Sequence, residues 1–566
     1  MIGDDEFTRY YEPLLDDMYD VVDRITITAR YNFACTPGGF RCWWFDRYGT
    51  FDNLHDTFLM RLAGRYGRRV QGWAKKNDIP VVDCKKGVRK DKLIKEYYPD
   101  DPNFTGVFTI FTTRRPSPVW RVLRSDKNGG SFHLERKDPH PWVKHYHFHI
   151  MDKTWGHVIV SMSGHPPHPA LIILNGHEYT ACQARRKGID FEKEGNCFTS
   201  LSDSRRFAEV AESLRSKAAV GQLRQICDRW SYWCACFGVS FEEQKCSRFH
   251  YDYSIYQMEY SRNLMFHSGR YMERVFDGVV DRTRDTLDVK RVMKIFGRHA
   301  RRVHIKKPRT MGREQVIIER PAYDLTVFKL HFGGVTLKMY TKGERVLRTE
   351  AMVEQVKRLR CGRVIDRFPA MIQQLANLLQ TFLNHLQCVD MPWVRRDQLD
   401  SLAQPGYVGA TRTAGLDIGK PRMRAAIHGV IALSLNPEGF TAAKHAAKVN
   451  ELTGGQMNYT SRQSAYDLKK LRGKDLLAKR HPTSRRYQPT ADALRTLSGL
   501  IVLRQKVIEP LLKYLGRAKS GPVPRQTAKI DRHFRDMQHS MAHVFEELHL
   551  AGEYSRNKVL AIKYVA

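Results

Sequence analysis

Eight of the chain's 23 histidines crowd between His140 and His177. Within the strand-like run VKHYHFHIM, His145, His147 and His149 alternate, so a period of two sets them on one strand face. His147 and His149 could there share a divalent metal. Farther along, Tyr256 and Tyr260 are four residues apart in a stretch that reads as helix over 254–280. That spacing puts both phenols on one helix face, and a phenolate attacking a phosphodiester would leave a phosphotyrosyl intermediate. Glu259 and Glu350, with Lys338 and Lys342, suit a different chemistry: carboxylates gather Mg or Mn while a lysine meets the phosphate. Glu350 with Arg348, however, reads more often as a structural ion pair beside a sheet. Lys338, Tyr340 and Lys342 alternate onto one strand face, a surface for phosphates and stacked bases.

The charge of the whole chain favours such partners. It carries 94 Lys and Arg against 60 Asp and Glu over 566 residues, a net +34, which is more than solubility needs and points to a polyanion. DNA is the first expected ligand, and a structured RNA the second. No apolar run reaches the ~18 residues of a membrane span, and the acidic start MIGDDEF lacks the form of a secretory signal. A cytoplasmic, non-membrane protein is expected. The 11 cysteines, with only Cys234 and Cys236 close together, read as core thiols. No Walker loop, dinucleotide loop or zinc-protease signature occurs, which excludes nucleotide-driven motors.

Elements able to position these residues follow from periodicity. The expected fold class is α+β and multidomain, with four regions. An N-terminal α/β region spans 1–125, and its Val81–Val82 strand, 90–97 helix and 106–111 strand make a βαβ-like unit. The basic run Arg65-Tyr66-Gly67-Arg68-Arg69 in this region is either a phosphate contact or a solvated helix face. A central α+β nucleic-acid-binding region spans 126–400. It contains an antiparallel sheet over 142–179 ending in the hairpin-type turn Asn175-Gly176, and a helix over 203–237. A basic connector, 294–313, holds Arg298, Arg301, Arg302, Lys306 and Lys307, and a strand meander over 323–352 precedes a helix over 368–388. Residues 401–420, rich in Gly, Ala, Thr and Pro, read as a linker.

The last region, 421–566, carries the clearest pattern. Helices over 421–435 and from the Thr441 cap to Leu452 precede a third opened by Thr460-Ser461. In the third, Ala465, Leu468 and Leu471 are expected inward, while Arg462, Gln463, Tyr466, Lys469 and Arg472 stay outside to meet base edges and phosphates. Two short strands follow around a basic tip holding Arg485 and Arg486, then a closing helix from Thr490. This order, with the phrase YDLKKLRGKDLLAKR, resembles the MarR-like winged-helix module of bacterial regulators over 421–515. The resemblance implies DNA recognition, or a protein contact such as a homodimer interface.

Other phrases carry further resemblances. His147-Phe148-His149 is similar to the His-hydrophobic-His pattern of single-strand nickases, which would make His147 and His149 metal ligands and Tyr256 or Tyr260 the nucleophile. LKMYTKGERVLRTEA resembles the strand pair of some rolling-circle replication initiators. HYHFHIMDKTWGHV, IILNGHEY, YSIYQMEYSRNLMF and YDLKKLR together resemble a family of bacterial proteins of unassigned activity that carry a MarR-like module. Thr341 and Ala351 depart from that family's usual Asp and Thr, and its members also carry Tyr at the positions of His147 and His149. The expected function is nucleic-acid binding, through a winged helix to DNA and through a basic central sheet to a second strand, as in a ribonucleoprotein. A metal-dependent nuclease or strand-transfer enzyme of a mobile element, and a transcriptional regulator, remain open alternatives.

Overall fold

The computed structural model describes residues 5–287, 315–390 and 396–504, apart from positions 86, 89, 102, 125–131, 323, 324, 333, 435, 437, 480 and 482, together with the isolated positions 536 and 540. The architecture is α+β, and the chain divides into two compact units, Met1–Gly278 with Arg291–Leu383, and Val279–Lys290 with Asn384–Ala566.

The first unit is organised by one sheet of eleven strands. In chain order they are β1 (Leu15–Arg30), β2 (Val81–Asp83), β3 (Gly106–Pro116), β4 (Trp142–Asp152), β5 (Gly156–Ser163), β6 (Ala170–Asn175), β7 (Asp252–Phe266), β8 (Gln315–Ala322), β9 (Leu325–Phe332), β10 (Val335–Lys342) and β11 (Val346–Val353). Their order across the sheet is β8-β9-β10-β11-β7-β1-β6-β5-β4-β3-β2, antiparallel throughout except for the parallel β2–β3 pair at one edge. The expected βαβ-like unit, the 142–175 strands and the meander are all present. The boundary expected near 125 falls inside this sheet, because β1 pairs with both β6 and β7.

One face of the β4–β6 half is dry. Tyr146, Phe148, Val158, Val160 and Ile172 are buried there, and α2 (Asp56–Lys76) supplies Tyr66, whose ring centroid is 5.1 Å from that of Tyr146. Gly67 permits this approach, since a Cβ there would lie 2.3 Å from the Tyr146 hydroxyl. Trp73 of α2 then meets Trp233 of α5 (Lys217–Ala235) edge-on at 5.0 Å, and Phe148 stacks on Phe237 at 5.8 Å. Tyr66, Tyr146 and Phe148 are buried there, each contributing about 2–3 kcal/mol, while Trp73, Trp233 and Phe237 are partly buried. Before α2, α1 (Pro37–Tyr48) buries Phe40, Trp43 and Trp44. The opposite sheet face near Tyr19, Val21 and Met265 is covered by α3 (Gly176–Arg186) and α4 (Ser204–Glu212) through Ala181, Ala184, Phe207 and Val210.

Two sequence expectations change here. Asn175-Gly176 makes no hairpin: Asn175 caps α3 by accepting from the His177 N–H at 2.8 Å, and Gly176 is needed because a Cβ would lie 1.8 Å from the Val22 carbonyl oxygen. The helix expected over 254–280 is instead β7 followed by α6 (Gly269–Leu287). β7 is central and covered on both sides at its C-terminal half, where Tyr260, Ser261, Asn263, Leu264, Met265 and Phe266 are all buried, so no period-two contrast survives in the sequence. The helix expected over 368–388 is α7 (Phe368–Asp390).

The second unit contains α8 (Arg396–Ala403), α9 (Pro421–Ser434), α10 (Ala442–Leu452), α11 (Ser461–Arg472) and α12 (Ala491–Val502). Thr441, Thr460 and Thr490 cap α10, α11 and α12 as expected. His445 fastens three helices, its ring nitrogens lying 2.8 Å from Ser464 Oγ and 2.8 Å from the Ala426 carbonyl oxygen. The strands Leu477–Lys479 and Tyr487–Pro489 pair as a wing, and Phe440 bridges to Tyr487. The stretch expected as a linker folds into α8 and a hairpin, Gly406–Val408 with Thr411–Thr413, that packs against α11.

Candidate functional sites on the sheet and the winged helix

Residues directly opposite in an antiparallel pair share a face. His149 is opposite Ile159, Ile159 opposite Ile173, Ile173 opposite Thr26, and Thr26 opposite Gln257. Gln257 precedes Glu259 by two residues; on the same face Ser261 is opposite Glu350, and Glu350 is opposite Lys338. The sheet therefore brings the histidines and the acidic pair onto one face. Four strand spacings separate His149 from Gln257, about 19 Å, so these are two centres rather than one.

The acidic centre is crowded. Tyr340 donates to Glu350 Oε2 at 3.1 Å, Lys338 Nζ is 3.6 Å from Glu350 Oε1, and Glu259 accepts from Gln257 Nε2 at 2.9 Å. Burial pushes the Glu259 carboxyl up to about 7, and the neighbouring Glu350 and Asp23 add to the shift. Beside it, fully buried Arg348 donates to Asn263 Oδ1 at 2.6 Å, Asp23 Oδ2 at 3.2 Å and the Asn196 carbonyl at 2.5 Å, with His177 Nε2 3.1 Å away. Burial alone would raise Asp23, but His177, Arg348 and Lys342 hold it well below the usual carboxylate range. The expected Glu350–Arg348 ion pair is thus replaced by two pairings, Arg348 with Asp23 and Glu350 with Lys338 and Tyr340. Lys342 donates to Asn196 Oδ1. Lys338, Tyr340 and Lys342 do share a face, but their polar ends are turned onto Glu350 and Asn196 rather than forming an open basic surface.

A carboxyl near 7 can exchange a proton at neutral pH. It also costs stability: a folded-state value above the ordinary 4.5 means the native state binds more protons, so stability falls as pH rises from about 4.5 to 7. Glu259→Gln is accordingly expected to stabilise the protein by about 3 kcal/mol at pH 8 and by under about 1 kcal/mol at pH 5. Urea midpoints at the two pH values check this; an equal effect at both would remove the shifted carboxyl.

The histidine centre is drier. His147 Nε2 is 2.7 Å from Thr113 Oγ1, and His149 Nδ1 is 3.1 Å from His157 Nε2, with Phe111 against the His149 ring at 4.6 Å. Burial lowers His147 to about 2 and His149 to about 3. The two imidazoles engage separate partners, and among the described residues no group of three or more His, Cys, Asp or Glu could hold a metal ion.

The tyrosine pair is corrected more sharply. Tyr256 is the extra residue of a bulge in β7 and is 46% exposed, whereas Tyr260 is buried, its hydroxyl donating to Asp20 Oδ2 at 3.0 Å and accepting from Arg215. Burial, then Asp20, holds the Tyr260 phenol far above its ordinary range. By strand alternation Tyr260 faces away from Glu259.

On the winged helix, Ser464, Asp467, Leu468 and Leu471 form the inner side of α11, with Asp467 held by Arg422 at 3.0 Å and by the Tyr459 hydroxyl at 2.8 Å. Ala465, expected inward, is exposed. Arg462 and Tyr466 are exposed, Lys469 and Arg472 half-exposed, and the Lys470 ammonium sits 5.0 Å from the Tyr466 ring centre. Gln463 is partly committed, its Oε1 accepting from the Thr460 N–H at 2.8 Å. Arg485 is exposed on the wing. Arg486 instead braces it, donating to the Gly439 carbonyl at 3.1 Å and lying 3.6 Å from Glu438. Arg298, Arg301, Arg302, Lys306 and Lys307 lie outside the described residues.

Comparison with family models, curated proteins and solved structures returns no match. Among the described residues no helix is long and apolar enough to cross a membrane. Sequence reasoning missed Asp23, Asn196 and Asn263 as partners of Arg348. Only His177, inside the histidine cluster, carried a signal, and the misread turn at Gly176 hid that it begins a helix beside β1.

Proposed function

We propose that the chain is a nucleic-acid-binding protein that docks on DNA through α11 and its wing. The observation that carries this reading is the division of α11: its buried side is pinned by Asp467, Leu468 and Leu471, while Arg462, Tyr466, Lys469 and Arg472 point outward. A rigid helix with a cationic, hydrogen-bonding outer face suits the major groove, and exposed Arg485 suits the adjacent backbone. Selection from a random duplex library tests it. Arg462→Ala is expected to relax preference at one or two base pairs at a cost of about 1–3 kcal/mol, because a bidentate base contact is lost. Unchanged preference with unchanged affinity would overturn the assignment of α11.

The acidic centre favours a second reading. Burial, with Glu350 and Asp23 nearby, puts the Glu259 carboxyl near 7, and Lys338 lies between it and Glu350, an arrangement in which a carboxyl can pass a proton to or from a phosphodiester that displaces Lys338 from Glu350. In this reading the chain also cleaves or transfers the strand it binds. Glu259→Gln abolishing cleavage while duplex affinity stays constant supports it; full cleavage by that variant rejects it.

A further inference from the structure

One helix of the first unit carries more uncompensated charge than its fold requires. α2 buries Leu59, Leu62, Tyr66, Val70 and Ala74. Its other side presents Arg61, Arg65, Arg68, Arg69, Lys75 and Lys76, every one exposed. The helix's sole acid, Asp56 at its start, is taken by Lys137 at 2.7 Å and by the Val122 N–H at 2.9 Å. Among the described residues none of the six forms an ion pair; the acid that Arg69 acts on, Glu243, is already paired with Arg47.

A face built only for solvation would mix the two signs. Like charges four residues apart, as in Arg61, Arg65 and Arg69, disfavour the helix, and acids at such positions would relieve it. Gly64 and Gly72 are also exposed on α2, where Ala would serve the helix better. A Cβ at Gly72 would meet nothing within 4 Å, so packing does not require the glycine, and its absence of side chain leaves the row low between the guanidiniums. Arg61 to Lys76 spans about 22 Å at 1.5 Å per residue. One nucleic-acid strand advances ~3.4 Å per phosphate, so that length matches about six phosphates. Arginine, which supplies four of the six cations, is the side chain whose planar fork fits a phosphate bidentately.

We propose that α2 is a phosphate rail, a second contact that holds the sugar–phosphate backbone of a nucleic acid independently of the winged helix. It reads no sequence and supplies affinity that salt removes.

The test uses the full chain, a 30-base-pair DNA duplex and an RNA hairpin of equal charge, with binding measured across a salt series. Replacing Arg61, Arg65, Arg68 and Arg69 together by Gln is expected to make the slope of log K against log salt shallower by about 3 to 4 units, at ~0.9 per lost phosphate contact. A control that removes four exposed cations elsewhere on this unit, Lys153, Lys187, Arg205 and Lys217, should keep the parent slope. Thermal unfolding confirms that both variants fold. A reduced slope on DNA alone names duplex DNA as the ligand, and on the hairpin alone names RNA; either supports the rail. A parent slope in the rail variant, or an equal loss in the control, overturns it. Arg462→Ala should shift base preference with a slope change of at most about one unit, so the rail and the winged helix succeed or fail separately.

Discussion

Acidifying the protein from pH 7.5 to 5.5 is expected to remove about 6 kcal/mol of stability and to bring the first unit close to unfolding. Six imidazoles are buried there as neutral bases. Burial lowers His147 to about 2, His149 and His168 to about 3, and His157, His165 and His177 to about 4. A histidine depressed in the folded state is protonated first in the unfolded chain, so its penalty begins as pH falls through about 6.5 and grows until the folded value is reached. At pH 5.5 each contributes roughly 1.4 kcal/mol against folding, about 8 kcal/mol for the six. Glu259 works in the other direction and returns under about 2 kcal/mol over the same interval, since its cost fades as it is protonated. A domain has about 5–15 kcal/mol in total, so the net loss is decisive. Denaturant midpoints at pH 7.5, 6.5 and 5.5 measure it, and equal stability at all three would show that the histidines are solvated.

Arg348→Met is expected to destabilise the first unit by about 3–5 kcal/mol. The substitution leaves the Asp23 carboxylate, 6% exposed, without its guanidinium, and an ion stranded in the interior is costlier than the pair was worth. It also frees Asn263 Oδ1 and the Asn196 carbonyl. Combining it with Asp23→Asn should recover a large part of the loss, giving a coupling of about 1–3 kcal/mol in a double-mutant cycle. Additive losses would mean that Arg348 acts through packing alone.

The sequence was most informative where one face is wet or a cap is explicit. The threonines at 441, 460 and 490 start helices because a hydroxyl satisfies an amide the helix leaves free, and that signal is local. The Lys338, Tyr340 and Lys342 alternation likewise showed that the three share a face. Alternation could not show that the face is largely closed, nor that Arg348 turns to Asp23 on a strand more than three hundred residues earlier. β1 itself was missed, because its Asp16, Asp17, Asp20 and Asp23 interrupt an apolar strand pattern, and their side-chain partners His267, Ser204, Arg262 and Arg348 come from residues far along the chain. The tyrosines at 256 and 260 failed for a related reason: a four-residue spacing fits a helix face and a strand face equally, and only pairing with β1 decides between them.

The surplus of 34 positive charges is the feature from which the functional account starts. The slope of log K against log salt for the intact chain on a 30-base-pair duplex tests it most directly. If α2 and the winged helix are tracks for phosphates, the protein binds tightly at 50 mM salt and the slope is at least about −5. A slope near zero, or no binding at 50 mM salt to DNA or to RNA, would contradict the account.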